Sequence, residues 1–351
     1  MLVRSAYSLP NMGTSYFVGP TLDDVMHDVV QEIFSRGEQI YPTKGGPDGA
    51  LEITGVLLEI SNPRARLSRT ETRGRIFSAL GELLWYLSGS NDVSFISYYI
   101  NEYTKLAEDG KVFGGYGPRL FNWKGVDQIW NVTRILKTKK DSRKAVIQLF
   151  DSTDIAAEHE DVPCTCTLQF MLRSGRLHLL TNMRSNDIYW GLPHDVFCFT
   201  MLQEIVANSI ASELGFYKHA VGSMHLYAKH RSPAKRFLRE GFQRTIPLMQ
   251  PMPKGDPWPD IKCVLEAAAV IRNEGATNGR IAGGVDPYWA DVIRLLQVFE
   301  AKRRRDIARI KEVRADMSNQ IYLKFIDRVI RTLTASARIG PSAGQTEERL
   351  S

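Results

Sequence analysis

Short strand-like runs alternate irregularly with helical segments along the first two thirds of the chain, and this pattern restricts the fold more than any other feature. Residues 51–60 (LEITGVLLEI) and 145–150 (AVIQLF) are rich in β-branched and aliphatic side chains, as strands are. Two further runs, 167–172 and 177–181, flank a turn-like Arg-Ser-Gly-Arg sequence,. Because no regular strand–helix–strand repeat is present, the pattern predicts an α/β (α+β) layered fold with a mixed sheet flanked by helices.

Helical spacing marks three segments of this region. Residues 21–36 place their apolar side chains on one face, with Thr21 as N-cap and Gly37 as the stop,. Residues 71–88 and about 196–214 are also predicted to be helical. Beyond position 230 the chain is rich in Pro and Gly, and it is helical and basic from 287 to about 333,. We therefore predict a main domain at 1–245, a Pro/Gly-rich connection with a helical extension at 246–335, and a loose tail at 336–351.

Composition restricts the class of protein. With 43% hydrophobic and 24% charged residues among 351, the chain is expected to form a full globular core,. No apolar run approaches the ~18 residues of a membrane span, and residues 1–13 lack the apolar stretch of a secretory signal,. We therefore expect a cytoplasmic protein with no membrane partner. The four cysteines form no C-x-x-C pair, so neither a disulfide scaffold nor a metal site is predicted,.

A cysteine directly before a predicted strand is the first candidate for chemistry. Cys164 follows Val162-Pro163, at a loop edge where a nucleophile can be presented. By itself this is weak evidence, because a lone cysteine is more often a small buried apolar residue. The surrounding motifs make the signal specific: Glu82-Leu-Leu-Trp85, Gly115-Tyr116-Gly117, Asp141-Ser-Arg143-Lys144, Arg184-Ser185-Asn186-Asp187, Gly191-Leu-Pro-His-Asp195 and His225-Leu-Tyr227.

In this order, the motifs resemble those of the thymidylate synthase family, including its pyrimidine-nucleotide hydroxymethylase branch, over roughly residues 41–230. The resemblance implies that residues 1–245 form the catalytic domain of a one-carbon transferase. It also implies 5,10-methylenetetrahydrofolate as co-substrate and no metal. Cys164 would add as a thiolate to C6 of the pyrimidine, which makes C5 nucleophilic, and Arg184 is the cation that can stabilise the thiolate.

The resemblance also assigns the remaining candidates. Glu82 would transfer protons and order water, with Tyr116 as a further catalytic residue, and Asp187 and Trp85 would contact folate,. The substrate phosphate would be held by Arg184, Ser185, Arg143 and Lys144, the last two reaching across a homodimer. Lys44 either replaces the family's N-terminal phosphate arginine or is a solvated loop lysine. His225 and Tyr227 would contact the sugar, since residues two apart lie on one side of a strand.

Asp195 indicates which base is bound, because thymidylate synthases carry Asn at this position. The Asn amide pairs with N3–H and O4 of uracil, whereas a protonated Asp presents O–H to N3 and C=O to the N4 amine of cytosine. The alternative is that Asp195 only caps a helix that begins at Val196. The sequences around Asn186 and Ser223 are also more similar to phage-type deoxycytidylate hydroxymethylases.

We therefore predict folate-dependent 5-hydroxymethylation of CMP or dCMP, in which water traps the transferred carbon. The alternatives are a thymidylate synthase that methylates dUMP, and an inactive family member that binds nucleic acid through its basic extension. Residues 301–331 contain ten basic and four acidic side chains, an excess equal to the net charge of +6 of the whole chain. This extension is more simply explained as a packing element or a solvated face, so nucleic acid is not the expected partner.

Overall fold

The computed structural model describes residues 15–42, 46–68, 76–242, 248–275 and 284–339. The strands in these ranges are β1 (Tyr16–Gly19), β2 (Glu38–Ile40), β3 (Ala50–Ile60), β4 (Ala107–Glu108), β5 (Lys111–Val112), β6 (Val146–Gln148), β7 (Thr165–Arg173), β8 (Arg176–Asp187) and β9 (Glu213–Tyr227). The α-helices are α1 (Leu22–Arg36), α2 (Ile76–Leu87), α3 (Val93–Ser97), α4 (Tyr116–Phe121), α5 (Gln128–Thr138), α6 (Gly191–Ser209), α7 (Arg231–Glu240), α8 (Trp258–Glu274), α9 (Pro287–Arg303), α10 (Ile307–Ala315) and α11 (Leu323–Ile339).

Seven strands form one mixed sheet in the order β1-β3-β9-β8-β7-β6, with β2 paired to β3. The β1/β3 and β8/β9 pairs are parallel, and the other pairs are antiparallel. Helices α1, α5 and α6 pack on this sheet, and α2 packs against α6. The predicted mixed sheet with flanking helices is therefore confirmed. Helix α6 thus contacts both α2 and the strands β8 and β9.

Several predicted elements occur where the sequence pattern places them. The side chain of Thr21 accepts a hydrogen bond from the backbone N–H of Asp24, so it caps α1 as predicted,. Helix α2 is confirmed from Ile76, whereas residues 71–75 lie outside the described ranges. Ser174 and Gly175 both have positive φ, 49° and 74°. This geometry fits a two-residue turn that joins antiparallel β7 and β8.

The helix predicted at 196–214 is wrong at both ends. Helix α6 begins at Gly191 and ends at Ser209, and β9 begins at Glu213. A proline is tolerated in the first turn of a helix, because its missing N–H would have no intrahelical partner there. Pro193 therefore does not delay the start of α6, and Asp195 lies inside the helix rather than at its N-cap.

The C-terminal extension packs on the first part of the chain. Helix α8 occupies 258–274, inside the region beyond position 230 that the Pro and Gly content marked as a connection. The ring of Phe299 in α9 lies 5.5 Å from that of Tyr98 and 5.3 Å from that of Tyr99. The last helix continues to Ile339, past the predicted start of the tail at 336, and residues 340–351 lie outside the described ranges.

The basic side chains of the extension make intramolecular contacts. The guanidinium of Arg314 binds both carboxylate oxygens of Asp327, at 2.5 and 3.0 Å. Arg304 pairs with Glu300 at 2.6 Å, and the guanidinium carbon of Arg303 lies 4.1 Å from the ring centroid of Tyr98. These contacts support the interpretation of the basic segment as a packing element. None of the helices in the described ranges is long and apolar enough to cross a membrane.

Candidate active site

A cavity of about 170 Å³ lies where α2, α6 and the start of β7 meet. Five of the residues singled out from the sequence line it: Cys164, Glu82, Tyr116, Trp85 and Asp195. Trp85 is almost fully buried, and its ring meets that of Tyr103, another lining residue, edge-on at 5.3 Å. The chain thus brings the candidate thiol and the two candidate carboxyl groups together from three separate segments.

Cys164 lies immediately before β7 and is half-buried. The Arg184 guanidinium is anchored to the loop before it, because Nε donates to Pro163 O at 2.9 Å and Nη2 donates to Val162 O at 3.0 Å. Nη2 also lies 3.6 Å from Cys164 Sγ. A fixed cation next to a thiol favours the thiolate, which is the nucleophilic form. The predicted pairing of Arg184 with Cys164 is therefore present in the geometry.

Two local features set the direction of the cysteine loop. The register of β7 against β8 shifts between Thr165 and Thr167, which is a β-bulge directly after Cys164,. The Tyr116 hydroxyl donates to Thr165 Oγ1 at 2.9 Å and accepts from Thr165 N–H at 3.0 Å. Tyr116 thus fixes the backbone that follows Cys164, because its hydroxyl both donates a hydrogen bond to Thr165 and accepts one from it.

Glu82 is buried in α2, where an ionised carboxylate is costly,. Burial raises its pKa most strongly, and the nearby carboxylate of Asp161 raises it further. Two phenols, those of Tyr103 and Tyr86, donate to Oε1 at 2.8 and 2.9 Å and oppose this rise. A raised pKa suits a group that must exchange a proton near neutral pH.

Asp195 lies on the first part of α6, half-buried, with its side chain toward the same cavity. The amide Nδ2 of Asn186 donates to Asp195 Oδ2 at 2.6 Å. Burial and, secondarily, the charge of Glu82 raise the Asp195 pKa well above its ordinary range. Since α6 begins four residues earlier, the capping alternative for Asp195 is wrong.

The predicted sugar residues share one end of the sheet beside the cavity. The rings of His225 and Tyr227 lie 4.7 Å apart on β9, and Ser185 Oγ lies 3.5 Å from His225 Nδ1. Burial lowers the His225 pKa and raises that of Tyr227 to about 12, so both are neutral. None of the three lines the cavity.

Asp187, predicted to contact folate, uses its carboxylate within the chain. It accepts hydrogen bonds from the backbone N–H groups of Tyr189 and Trp190 at 3.1 and 3.0 Å, and it lies 3.5 Å from His230. Burial opposes its ionisation, but these contacts outweigh burial and lower its pKa. Asp187 does not line the cavity, and its folate contact stays a prediction.

Three of the predicted phosphate residues either do not line the cavity or are not described. Arg143 and Lys144 are exposed in the loop between α5 and β6 and do not line the cavity. That loop is held by backbone contacts, such as the one from Gln169 Nε2 to Arg143 O at 3.2 Å. Lys44 lies outside the described residues. Both loop cations are exposed, and their contact with phosphate stays a prediction.

Three partners of the site residues were not among the sequence candidates. Tyr86 and Tyr103 bind the catalytic carboxyl candidate Glu82, and Asn186 binds Asp195. Tyr86 follows Glu82 by four residues in a helix, so their contact could have been predicted from spacing. The other two contacts depend on tertiary structure. Tyr103 lies in a 3₁₀ turn, Asn101–Leu106, and Asn186 is near the end of β8.

Comparison with known proteins identifies relatives of this chain. A family model described as thymidylate synthase matches residues 25–255. The deoxyuridylate hydroxymethyltransferase of Bacillus phage SP01 is 30% identical over 226 residues, covering 60% of this chain and 58% of that protein. That of Pseudomonas phage M6 is 32% identical over 158 residues, covering 43% of this chain and 44% of that protein.

Among solved structures, thymidylate synthase from T4 phage is similar to this chain with a TM-score of 0.53 at 24% identity. The match covers 62% of this chain and 81% of that one, and it confirms the predicted fold. The chain spans 58% and 44% of the lengths of the two phage hydroxymethyltransferases.

Proposed function

The chain belongs to the thymidylate synthase family, and from this premise we propose that it is a one-carbon transferase that converts CMP or dCMP to the 5-hydroxymethyl nucleotide. Its co-substrate would be 5,10-methylenetetrahydrofolate. The observation that carries the proposal is that Cys164, Glu82 and Asp195 line one cavity, with Asp195 in an environment that favours its protonated form. The names of both phage relatives support hydroxymethylation as the reaction type.

The proposed chemistry begins at Cys164. Its thiolate, stabilised by Arg184, adds to C6 of the pyrimidine and makes C5 nucleophilic,. C5 accepts the one-carbon unit, and loss of the C5 proton and of tetrahydrofolate leaves an exocyclic methylene group. Water then adds to that methylene carbon, and elimination of the Cys164 thiolate from C6 restores the aromatic ring. No oxidant or reductant is consumed in this sequence.

Asp195 supports cytosine as the base through the position of its proton. Because Asn186 Nδ2 donates to Oδ2, that oxygen acts as the carbonyl acceptor and the proton of the neutral acid belongs on Oδ1,. Oδ1–H can then donate to N3 of cytosine, and Oδ2 can accept from its N4 amine. Uracil would place N3–H against O–H and O4 against C=O, leaving two mismatched contacts in the site.

The direct test is a substrate panel. CMP, dCMP, UMP and dUMP are each incubated with methylenetetrahydrofolate, and the nucleotide and folate products are identified by mass. The proposal expects a 5-hydroxymethylcytosine nucleotide together with tetrahydrofolate. A faster reaction of a uracil nucleotide would refute the cytosine assignment, and dihydrofolate as the folate product would refute hydration.

A second candidate is hydroxymethylation of deoxyuridylate, because both phage relatives are named deoxyuridylate hydroxymethyltransferases. The two candidates share every step except the contacts to N3 and to the C4 substituent. The same panel separates them, since only the preferred base changes. The Asp195 environment favours cytosine over this alternative.

We also propose that the enzyme acts as a homodimer in which Arg143 and Lys144 bind the phosphate in the partner's site. The support is their exposure outside the cavity of their own chain. In the same proposal, Arg184 and Ser185 bind the phosphate of the nucleotide in the site of their own chain. There, His225 and Tyr227 contact the sugar, and Asp187 and Trp85 contact folate. Arg is suited to phosphate because it forms bidentate hydrogen bonds.

A further inference from the structure

Two phenols from different elements hold the Glu82 carboxyl group by the same oxygen. Tyr86 lies one turn farther along α2, and Tyr103 comes from the Asn101–Leu106 turn. Their hydroxyls donate to Oε1 at 2.9 and 2.8 Å. No described residue donates a hydrogen bond to Oε2. The two oxygens of Glu82 are therefore chemically distinct.

This arrangement decides where Glu82 can carry a proton. A carboxyl oxygen has two lone-pair sites, and the two phenols occupy both on Oε1. A proton taken up by Glu82 therefore resides on Oε2, the oxygen that the phenols leave open. Glu82, Tyr86 and Tyr103 all line the cavity that contains Cys164. The exchangeable position is thus on the carboxyl group that faces the proposed reaction.

We propose that Tyr86 and Tyr103 are positioning residues that fix Glu82 so that Oε2 alone accepts the proton of the water that adds to the exocyclic carbon. This inference rests on the proposed hydroxymethylation. As the C–O bond forms, one O–H bond of the water breaks and its proton moves to Oε2 of ionised Glu82. The electron pair of the exocyclic double bond moves into the ring and forms the C5=C6 double bond, while the C6–S bonding pair leaves with sulfur as the Cys164 thiolate.

The surroundings of Glu82 determine in which direction its pKa changes when one phenol is removed. Burial and Asp161 raise its pKa, whereas the two phenols lower it by donating to the carboxylate. The other titratable groups that line the cavity or couple to Glu82 are Asp195, His194, Cys164, Cys198 and Tyr116. Removing one phenol leaves the raising influences in place, so the pKa of Glu82 rises further.

The test replaces each phenol alone. Tyr103→Phe and Tyr86→Phe keep the ring packing and each remove one donor, which is expected to raise the Glu82 pKa by about one pH unit. Glutamate labelled with ¹³C at the side-chain carboxyl reports this titration by NMR, and Glu82→Gln assigns the signal. In the active enzyme the acid limb of the kcat profile should move upward by the same amount, with the rate recovered at high pH.

Tyr98→Phe is the matched control, because Tyr98 lies in the adjacent segment and donates to Glu300 at 2.5 Å rather than to Glu82. It should leave the Glu82 titration unmoved. Folded Tyr103→Phe and Tyr86→Phe proteins with an unmoved titration, or with a uniform rate loss at every pH, would overturn the inference. The titration needs no turnover, so it is independent of the product analysis that tests hydroxymethylation itself.

Discussion

In the proposed function, Asp195→Asn changes the hydrogen-bonding polarity that the site presents to the base. In the native protein, Asn186 Nδ2 donates to Asp195 Oδ2, and burial raises the Asp195 pKa, which favours a proton on the other oxygen. An Asn at 195 presents an acceptor to N3–H and a donor to O4 once the Asn186 amide turns over. Asn186 Oδ1 is buried and has no hydrogen-bond partner in the described structure. When the Asn186 amide group rotates, this oxygen accepts a hydrogen bond from the new amide at position 195. The substitution should therefore favour uracil.

The magnitude follows from two reversed contacts. Each unsatisfied polar contact in a desolvated site costs ~1–3 kcal/mol. The substitution changes two contacts with cytosine from matched to mismatched, so the cytosine transition state should lose about 2–6 kcal/mol of stabilisation. The uracil transition state should gain stabilisation in the same range. At ~1.36 kcal/mol per tenfold change, cytosine should lose roughly 30-fold to 10⁴-fold in kcat/KM. The ratio of cytosine to uracil reactivity should fall by at least the lower figure.

The assay compares kcat/KM for the cytosine and uracil monophosphates in the native and variant enzymes, with products identified by mass. Asp316→Asn, at an exposed position in the extension, makes the same chemical change away from the site and should leave the ratio unchanged. Thermal unfolding verifies that α6 still packs. A folded Asp195→Asn enzyme with native base preference would refute the assignment of base reading to Asp195.

Three further outcomes are expected. Cys164→Ser should abolish turnover, whereas Cys166→Ser should retain most of it, because burial raises the pKa of the Cys166 thiol and it does not line the cavity; product formation measures both. Mixing inactive Arg143→Ala and Cys164→Ser subunits should restore activity through hybrid dimers that contain one intact site, and no recovery would exclude a shared site. Asp154→Asn should lower the free energy of unfolding by ~3–5 kcal/mol in denaturant titration, because it breaks the buried pair with Arg119,.

Local sequence patterns were sufficient to predict the helices and strands that carry most of the site residues. Thr21 and Gly37 delimit α1, and aliphatic runs delimit β3 and the β7/β8 hairpin. The start of α6 was misplaced because Gly191 and Pro193 resemble a loop, although both are compatible with a first helical turn,. This error affected the interpretation of Asp195, because a helix that begins at Val196 would make Asp195 its N-cap.

Contacts between distant segments could not be predicted in this way. The motif order identifies Cys164, Glu82 and Asp195 as members of one site, but it contains no information on their hydrogen-bond partners. Tyr103 is 21 residues from Glu82 and reaches it only after the chain has turned back over α2. The contacts of Tyr103 with Glu82 and of Asn186 with Asp195 were therefore visible only in the structure.

The extension connects to the site through this same returning segment. An added Cβ at Gly81, next to Glu82, would lie 2.2 Å from Tyr99 Cγ, so the helix and the Tyr99 ring are in closest contact there. Phe299 of α9 packs on the other aromatic neighbours, and Glu300 accepts from Tyr98. Tyr98 and Tyr99 precede the turn that carries Tyr103, so α9 packs next to the segment from which one phenol reaches Glu82. The extension thus packs, through the rings of Tyr98 and Tyr99, on the segment that supplies Tyr103, although none of its described residues lines the cavity.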